Sequence, residues 1–259
     1  MIRKCLVLVA ISLFLGSLAF AEPQRAFFVK ENRMPGPSKA EVGVIGQYVE
    51  FPDDYVVTGN GGDLYSAAPY VRYGLVENLA VYGEVPYVQV KPSQGSSEQG
   101  LGDVVAGAEL VVFQDLFGYP FIIPHVEASF DTGDEDKGLG NGQTLFTAGI
   151  SVGTVVMDMF HYVVDARYTF NEEANDGSGE DKNIATLAGA FIWDLNDKVS
   201  LIAEAKGSGD KDVEGDYPMY FQGGIAFQAT ENVYINILGG SAKNTDEETI
   251  VSGKVAYSF

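Results

Sequence analysis

The chain has 259 residues with 36 acidic and 16 basic side chains, which gives a formal net charge of −20. This acidic excess argues against nucleic acid as a partner, because phosphate contacts need Lys and Arg. It also argues against a peripheral protein that is held on anionic lipid.

Residues 1–21 have the features of a secretory signal peptide. The positively charged pair Arg3-Lys4 precedes an apolar run over 6–20, and Ala19-Phe20-Ala21 forms a small-x-small cleavage site. The apolar run is about 15 residues long, which is short for a transmembrane helix. The only cysteine, Cys5, lies before the run and not at the cleavage point, so we expect no lipid anchor.

Cleavage would leave a mature chain that begins near Glu22, with 14 basic and 36 acidic residues and a net charge near −22. This mature chain has no cysteine, which excludes disulfides, cysteine metal sites and thiol nucleophiles. Residues 22–39 contain three prolines and predict an irregular lead-in. The lead-in could enter a barrel as a plug or lie in the periplasm, and the sequence leaves both open.

Residues 40–259 predict one domain of about twelve β-strands. Apolar and polar side chains alternate in segments of about 10 to 13 residues, the length that a tilted strand needs to cross a membrane. The predicted strands are 40–50, 64–74, 79–90, 101–113, 119–130, 143–153, 159–171, 183–194, 198–207, 217–228, 232–242 and 248–259. The mature chain has no apolar run of 18 residues, so the fold class that we expect is a transmembrane antiparallel β-barrel without helical spans.

The connections between these strands are alternately short and long. Tight turns such as 75–78 and 195–197 alternate with loops such as 131–142 and 172–182. Short periplasmic turns and longer extracellular loops are typical of barrels in the Gram-negative outer membrane. A soluble β-sandwich is the alternative, but a sandwich has no reason to alternate its loop lengths in this way.

The last strand predicts both the closure of the barrel and a partner. Val251, Val255, Tyr257 and Phe259 fall on one face, whereas Lys254 falls on the other. We expect the apolar face to contact outer-membrane lipid, with lipopolysaccharide beside the outer loops. A strand that ends on an aromatic residue is typical of outer-membrane barrels, so Tyr257 and Phe259 are the candidate signal for the barrel-assembly machinery.

The opposite faces of the strands would line a polar lumen, where charged rings could set the selectivity of a pore. The candidate lumen residues are Arg72, Glu84, Glu109, His125, Glu127, His161, Asp165, Arg167, Glu204, Lys206 and Lys254. The alternative is that these groups form ion pairs that only hold the barrel wall. Twelve strands lie between the filled eight-stranded barrels and the open sixteen-stranded porins, so the width does not decide between the two.

The sequence gives little support for an enzyme, a cofactor or a metal site. His125, Glu127 and Ser129 share one face of a strand, but neighbours on that face are about 6.6–7 Å apart, too far for direct hydrogen bonds. Asp134-x-Asp136-x-Gly138 has part of a calcium-loop spacing without the distal glutamate. The acidic loops are either a solvated, self-repelling surface or a site for divalent cations shared with lipopolysaccharide phosphates.

Four short motifs resemble an outer-membrane family named for the MetA pathway of phenol degradation. They are Tyr73-Gly74-Leu75-Val76-Glu77-Asn78-Leu79, Val85-Pro86-Tyr87, Gly100-Leu101-Gly102-Asp103-Val104 and Phe130-Asp131-Thr132-Gly133, the last with Asp131 where the family has proline. The resemblance implies a channel for hydrophobic or aromatic compounds. The function that we expect is passive passage of small solutes, and the alternative is a closed structural or surface-interaction barrel that displays acidic loops.

Overall fold

A computed structural model describes residues 23–51, 61–114, 120–171, 183–209, 217–244 and 249–259. The predicted signal peptide, 1–21, lies outside these residues. So do all the acidic side chains of the loops predicted at 172–182 and 208–216.

The described residues form fifteen strand segments. They are β1 (Ala40–Phe51), β2 (Gly62–Val76), β3 (Leu79–Glu84), β4 (Tyr87–Pro92), β5 (Glu98–Leu101), β6 (Val104–Leu110), β7 (Phe113–Gln114), β8 (Phe121–Phe130), β9 (Leu145–Val156), β10 (Phe160–Asn171), β11 (Ile184–Asn196), β12 (Val199–Ser208), β13 (Met219–Gln228), β14 (Val233–Lys243) and β15 (Thr249–Ser258). Every pairing is antiparallel between neighbours in the sheet. Because β1 pairs with both β2 and β15, the sheet closes into a barrel.

The segments combine into twelve strands around the barrel, which confirms the predicted fold class. Two predicted strands, 79–90 and 101–113, are interrupted, the first between β3 and β4 and the second after β5 and again after β6. Pro86 has no N–H for the ladder, and its carbonyl oxygen accepts a hydrogen bond of 2.9 Å from the N–H of Gly102 across the gap. The first two breaks therefore lie side by side in the wall.

Several strands are longer than the alternation predicts. β2 begins two residues before the predicted 64–74 and ends two residues after it, and β9 runs to Val156 instead of residue 153. The physical reason is that the ladder continues beyond the hydrocarbon layer. There both faces of a strand meet water, so pairing no longer requires alternating side chains.

The apolar side chains of the wall point outward. Tyr162, Phe227 and Val255 are 48%, 40% and 52% exposed, whereas Asp165 and Lys254 on the opposite faces of their strands are buried. An outward apolar face in contact with lipid and an inward polar face are the arrangement of an outer-membrane barrel.

The lead-in enters the barrel, which decides between the two alternatives left by the sequence. Residues 23–35 form a two-limbed loop, called here the N-terminal hairpin. The side-chain amide of Gln24 donates to the carbonyl oxygens of Glu31 and Arg33 at 2.8 and 3.1 Å, and the N–H of Glu31 donates to the Gln24 side chain at 2.6 Å. These bonds tie the two limbs together.

The interior also holds an apolar cluster that the alternation pattern did not predict. Ala26 and Val29 of the hairpin pack against inward side chains, with Phe27, Phe28 and Met34 partly buried around them. The wall residues of the cluster are Val111, Phe121, Ile123, Val163, Ala188, Ala190, Ile192, Ile202, Ala226 and Leu238. The hairpin is thus anchored by burial of apolar surface as well as by polar contacts.

No helix within the described ranges is long and apolar enough to cross a membrane. The one helical stretch found there is a single 3₁₀ turn, Glu135–Lys137, in the loop between β8 and β9.

Candidate functional site

The candidate site is the inside of the barrel, where the wall holds the tip of the hairpin. The tip, residues 27–30, is a bend, so its N–H groups lack sheet partners and need other acceptors when buried. Glu204 of β12 supplies them, accepting from the N–H of Phe27 at 3.0 and 3.1 Å and from that of Phe28 at 2.8 Å. Gln222 donates a further bond of 2.9 Å to the same carboxylate.

A second group of side chains holds the tip from β9 and β10. Arg167 donates to the carbonyl oxygen of Phe28 at 2.6 Å, and its Nε donates to Asp165 at 2.7 Å. The hydroxyl of Ser151 accepts from the N–H of Lys30 at 3.1 Å and donates to Asp165. His125 contacts the same carboxylate at 2.8 Å, so Asp165 connects one cluster of four wall residues.

This cluster contains a serine, a histidine and an aspartate, but it lacks the geometry of a catalytic triad. A triad requires the histidine to accept the proton of the serine hydroxyl. Here the hydroxyl of Ser151 and the imidazole of His125 both bond to Asp165 and not to each other. The arrangement orients wall side chains and leaves the hydroxyl without a histidine as base.

Arg25 fastens the first limb of the hairpin near the periplasmic end. Its guanidinium contacts Glu31 at 2.8 Å, bonds to Asp194 of β11 and donates to the Ser200 hydroxyl at 3.2 Å. His161 contacts the other oxygen of Asp194 at 2.7 Å.

Glu31 is a buried carboxylate of the hairpin with an unusual pKa. Burial alone would raise its pKa, but the positive charges of Arg25 and Arg33 and bonds from the N–H groups of Ala26 and Arg25 outweigh burial and lower the pKa to about 2. Glu31 is therefore ionised while the hairpin is docked.

The return limb is fastened by Arg72 of β2. This buried guanidinium bonds to Glu109, contacts Glu41 at 3.3 Å and donates to the carbonyl oxygen of Arg33. After the return limb, residues 35 and 36 pass over Gly74 of β2. A Cβ at Gly74 would lie 2.3 Å from the carbonyl oxygens of both residues. Only glycine permits this approach, which gives a physical reason for glycine in the first of the four motifs.

Two lysines of the wall also contact the hairpin. Lys254 of β15 donates to the carbonyl oxygen of Gln24, and its ammonium lies 5.7 Å from the Phe27 ring. Lys206 of β12 lies 5.0 Å from the Phe28 ring and 4.1 Å from that of Tyr220. All three ammonium–ring distances are typical of cation–π contacts.

The remaining predicted residues face the interior away from the hairpin's polar contacts. Glu127 accepts a bond of 2.8 Å from the hydroxyl of Tyr82. Glu84 lines a small cavity beside the hairpin together with Lys30 and Lys254. The structure thus places the side chains of all eleven predicted residues on the inner surface of the wall, at several levels along the barrel axis; this inner set of charged groups is called here the charged layer. Their role in selectivity stays a prediction.

Sequence reasoning missed several residues that hold the hairpin. Ser151, Gln222 and Asn236 are uncharged, and a search for charges passes over them. The amide of Asn236 donates to the carbonyl oxygen of Arg25 at 2.8 Å. Asp194 carries a charge on the inward face of β11, so its position in the alternation could have identified it.

The third family motif meets the fourth at a clamp around Asp103. This carboxylate accepts from the N–H groups of Thr132 at 3.2 Å, Gly133 at 2.9 Å and Asn141 at 2.8 Å. Leu139 of the same loop is buried, and a Cβ at Gly100 would lie 2.9 Å from its methyl group. The loop over 131–144 is therefore folded against the inner side of the barrel mouth.

Asp134, which belongs to the partial calcium-loop spacing of this loop, makes a different contact. Lys137 forms an ion pair with Asp134. Across the described part of the chain, no group of three or more His, Cys, Asp or Glu side chains is arranged to hold a metal ion.

The C-terminal aromatic pair lies at the seam of the barrel. The rings of Tyr257 and Phe259 meet edge to face at 4.8 Å, and Tyr257 is exposed on the outer face. The N–H of Phe259 donates to the carbonyl oxygen of Ala40 at 2.9 Å, which extends the contact between the first and last strands.

A closed barrel of twelve strands with an apolar exterior and a polar interior defines an outer-membrane β-barrel. The chain belongs to the family described as "Putative MetA-pathway of phenol degradation", whose model matches residues 39–259. The family resemblance indicated by the four motifs is thereby confirmed. No curated protein sequence matches the chain significantly.

Solved structures of similar fold include outer-membrane channels and porins as well as autotransporter domains. An outer membrane channel from Pseudomonas putida F1 is 14% identical, with a TM-score of 0.68, over 92% of this chain and 100% of that chain. The NanC porin is 10% identical, with a TM-score of 0.58, over 84% of this chain and 98% of that chain. The CymD monoaromatic hydrocarbon channel is 7% identical, with a TM-score of 0.50, over 87% of this chain and 88% of that chain. At these identities the likeness concerns the fold.

Proposed function

We propose that this barrel is a channel for passive passage of small solutes through the outer membrane, including hydrophobic or aromatic compounds. One observation carries the proposal: the inner wall holds charged groups such as Arg72, Asp165 and Glu204 against a hairpin that belongs to no strand of the sheet. Burial of a charged group costs several kcal/mol per ion before pairing offsets it, and an interior filled with apolar side chains would avoid this cost. Charged groups on the inner wall are therefore better explained by a lumen that conducts solutes.

In this channel the hairpin would control the flow of solutes through the lumen. It is held by hydrogen bonds, ion pairs and apolar packing, and it belongs to no strand of the sheet. Its withdrawal would expose the charged layer without opening the barrel wall. The eleven inward residues would then set the electrostatics of the passage.

The aromatic preference has a separate basis. The family description names phenol degradation, and the CymD channel is described as a monoaromatic hydrocarbon channel. Tyr82 and Phe27 line the cavity beside the hairpin and supply aromatic surface.

The direct test is reconstitution of the purified protein. We expect conductance in planar bilayers and, in liposomes, faster uptake of phenol-sized solutes than of disaccharides of similar charge. Absence of conductance and uptake in both the full chain and a variant without residues 23–35 would contradict the proposal.

A closed structural barrel is the second candidate, and the tight docking of the hairpin favours it. The full chain separates the two in the same experiment, because a closed structural barrel would not conduct while the hairpin is docked and would conduct only after its removal. We propose that neither form is an enzyme, since the Ser151 hydroxyl bonds to Asp165 and not to the imidazole of His125. Hydrolysis of chromogenic esters that depends on Ser151 would contradict this.

We further propose that 1–21 is removed on export and that Tyr257 and Phe259 engage the barrel-assembly machinery. The apolar exterior would contact membrane lipid, and the acidic outer loops would lie beside lipopolysaccharide. N-terminal sequencing of the outer-membrane form tests the first part, with Glu22 as the expected first residue.

A further inference from the structure

The tip of the hairpin does not sit in the middle of the lumen but is attached to one side of it, by hydrogen bonds to Ser151 of β9, Arg167 of β10 and Glu204 of β12. The two limbs are also held from the other side, where Lys254 of β15 donates to the carbonyl oxygen of residue 24 and Arg72 of β2 donates to that of residue 33. The apolar cluster lies on the side to which the tip is attached, because its wall residues come mainly from β8 and β10 to β14.

The opposite side of the hairpin borders a cavity. It has a volume of about 100 Å³ and lies between the hairpin and the wall formed by β1, β2, β3 and β15. On the order of three water molecules fit such a volume, since each takes about 30 Å³ in the liquid. Ile45, Tyr70 and Glu84 line it from the wall, and Lys30 lines it from the hairpin.

A second cleft lies toward the outside on the same strands. Its volume is about 280 Å³, and it is lined by Phe51 of β1, Leu64 of β2 and Val90 of β4, with residues 135–138 of the folded loop above. Leu64 and Tyr70 lie on one face of β2, about 20 Å apart along the strand at a rise of about 3.4 Å per residue. The two cavities are therefore stacked along one wall.

We propose that solutes pass along this wall, between the β1–β2–β3 side of the barrel and the tip of the docked hairpin, and that Lys30 and Glu84 select them by charge. The inference rests on the proposed channel function and adds its route. It implies that passage of small solutes does not require the hairpin to leave the lumen.

The charged and aromatic side chains that line the cavity are suited to the selection of solutes by charge. The ammonium group of Lys30 lies 4.3 Å from the centre of the Tyr82 ring. Glu84 accepts no hydrogen bond from the described residues, so its carboxylate is available to a passing solute or to water. Besides Lys30 and Glu84, the cavity is lined by the charged side chains of Arg72, Glu41 and Lys254 and by the aromatic rings of Tyr70, Tyr82 and Phe27. Arg72 and Glu41 are paired with each other, and Lys254 is bonded to the hairpin.

Cysteine labelling tests the route, because the only cysteine of the chain, Cys5, lies in the predicted signal peptide. Ile45→Cys places a thiol in the cavity, and Ala188→Cys places one on the opposite wall beneath the hairpin. We expect a small methanethiosulfonate reagent to modify residue 45 about tenfold or more faster than residue 188. Equal rates, or faster modification at residue 188, would overturn the route.

The charge reversal Lys30→Glu tests the selection. In bilayers we expect it to raise the cation-to-anion permeability ratio about tenfold, since a change of two charges at a few ångströms exceeds the ~1.4 kcal/mol that a tenfold ratio represents. Lys243→Glu is the matched control, because Lys243 is exposed at the outer end of β14. An unchanged ratio in Lys30→Glu would overturn the selection.

The two experiments keep the route separate from the channel function. If the full chain conducts but labelling shows no preference, the route is wrong and the channel stands. If neither the full chain nor the variant without the hairpin conducts, the channel function fails, and the labelling still decides whether the cavity is reached from solution.

Discussion

Replacement of Glu204 by alanine should loosen the docked hairpin more than other single changes of the charged layer. The substitution removes the acceptor of two buried N–H groups, those of Phe27 and Phe28. A buried donor without a partner costs about 1–3 kcal/mol. Because the vacated space admits some water, we expect docking to weaken by about 2–4 kcal/mol in total.

This free energy corresponds to a roughly 30- to 1000-fold larger population of the displaced hairpin, since each 1.4 kcal/mol is a factor of about ten. Hydrogen exchange followed by mass spectrometry measures it directly. Amides of residues 25–31 that are protected in the full chain should exchange faster by the same factor, provided that closing is fast compared with exchange.

The matched control is Glu127→Ala. Glu127 is also an inward carboxylate, but its hydrogen bond comes from the Tyr82 hydroxyl of the wall and not from the hairpin. We expect hairpin protection to change by less than about threefold in this variant. Unchanged protection in Glu204→Ala, or equal loss in both variants, would refute the assignment of Glu204 as the main anchor.

Three further predictions concern other parts of the structure. Glu31 has a pKa lowered from 4.5 to about 2, so its contribution to docking, roughly 3 kcal/mol, is complete above pH 4.5 and is lost as the pH falls toward 2; hairpin protection should follow this window, and Glu31→Gln should remove the dependence. Asp103→Ala removes the acceptor of the N–H groups of Thr132, Gly133 and Asn141, so trypsin should cleave after Lys137 at least several-fold faster than in the full chain, whereas Asp131→Ala should leave the rate unchanged. Deletion of Phe259 should lower the amount of heat-modifiable, membrane-inserted barrel without changing synthesis, and normal assembly would contradict the role given to the terminal aromatic pair.

Much of the barrel could be predicted from the sequence, because lipid outside and polar groups inside impose a period of two on each strand. That rule places side chains as distant as Arg72 and Lys254 on one inner surface. It does not apply at Pro86, where a missing N–H breaks the ladder. It also does not apply at strand ends beyond the bilayer, where the alternation is no longer required.

The apolar part of the interior is visible in the sequence as apolar runs, which the alternation rule does not use. Ile122-Ile123, Val163-Val164 and Phe191-Ile192-Trp193 are apolar on both faces, which a water-filled lumen does not require. Read together, such runs indicate a second apolar surface inside the barrel. They predict that something other than water packs there, although they do not identify it.

The path of the hairpin could not be predicted. Residues 22–39 have no periodicity, and their partners are far away in the chain, as in the bond from Asn236 to Arg25 across 211 positions. Glu204 and Arg167 are recognisable as inward charges, but whether they face water or a peptide depends on which segment fills the lumen. That choice depends on the summed packing of the hairpin and not on any one residue.

The central claim is that the hairpin occupies the lumen of a channel and limits its flow. The most direct measurement is the single-channel conductance of the full chain and of a variant lacking residues 23–35, recorded in the same bilayer. A barrel of twelve strands has an empty interior on the order of 10 Å across, whereas the cavities that border the docked hairpin are separate and have volumes of about 90, 100 and 330 Å³. We predict at least a severalfold increase in conductance for the shortened chain, and equal conductance of the two proteins would contradict the account.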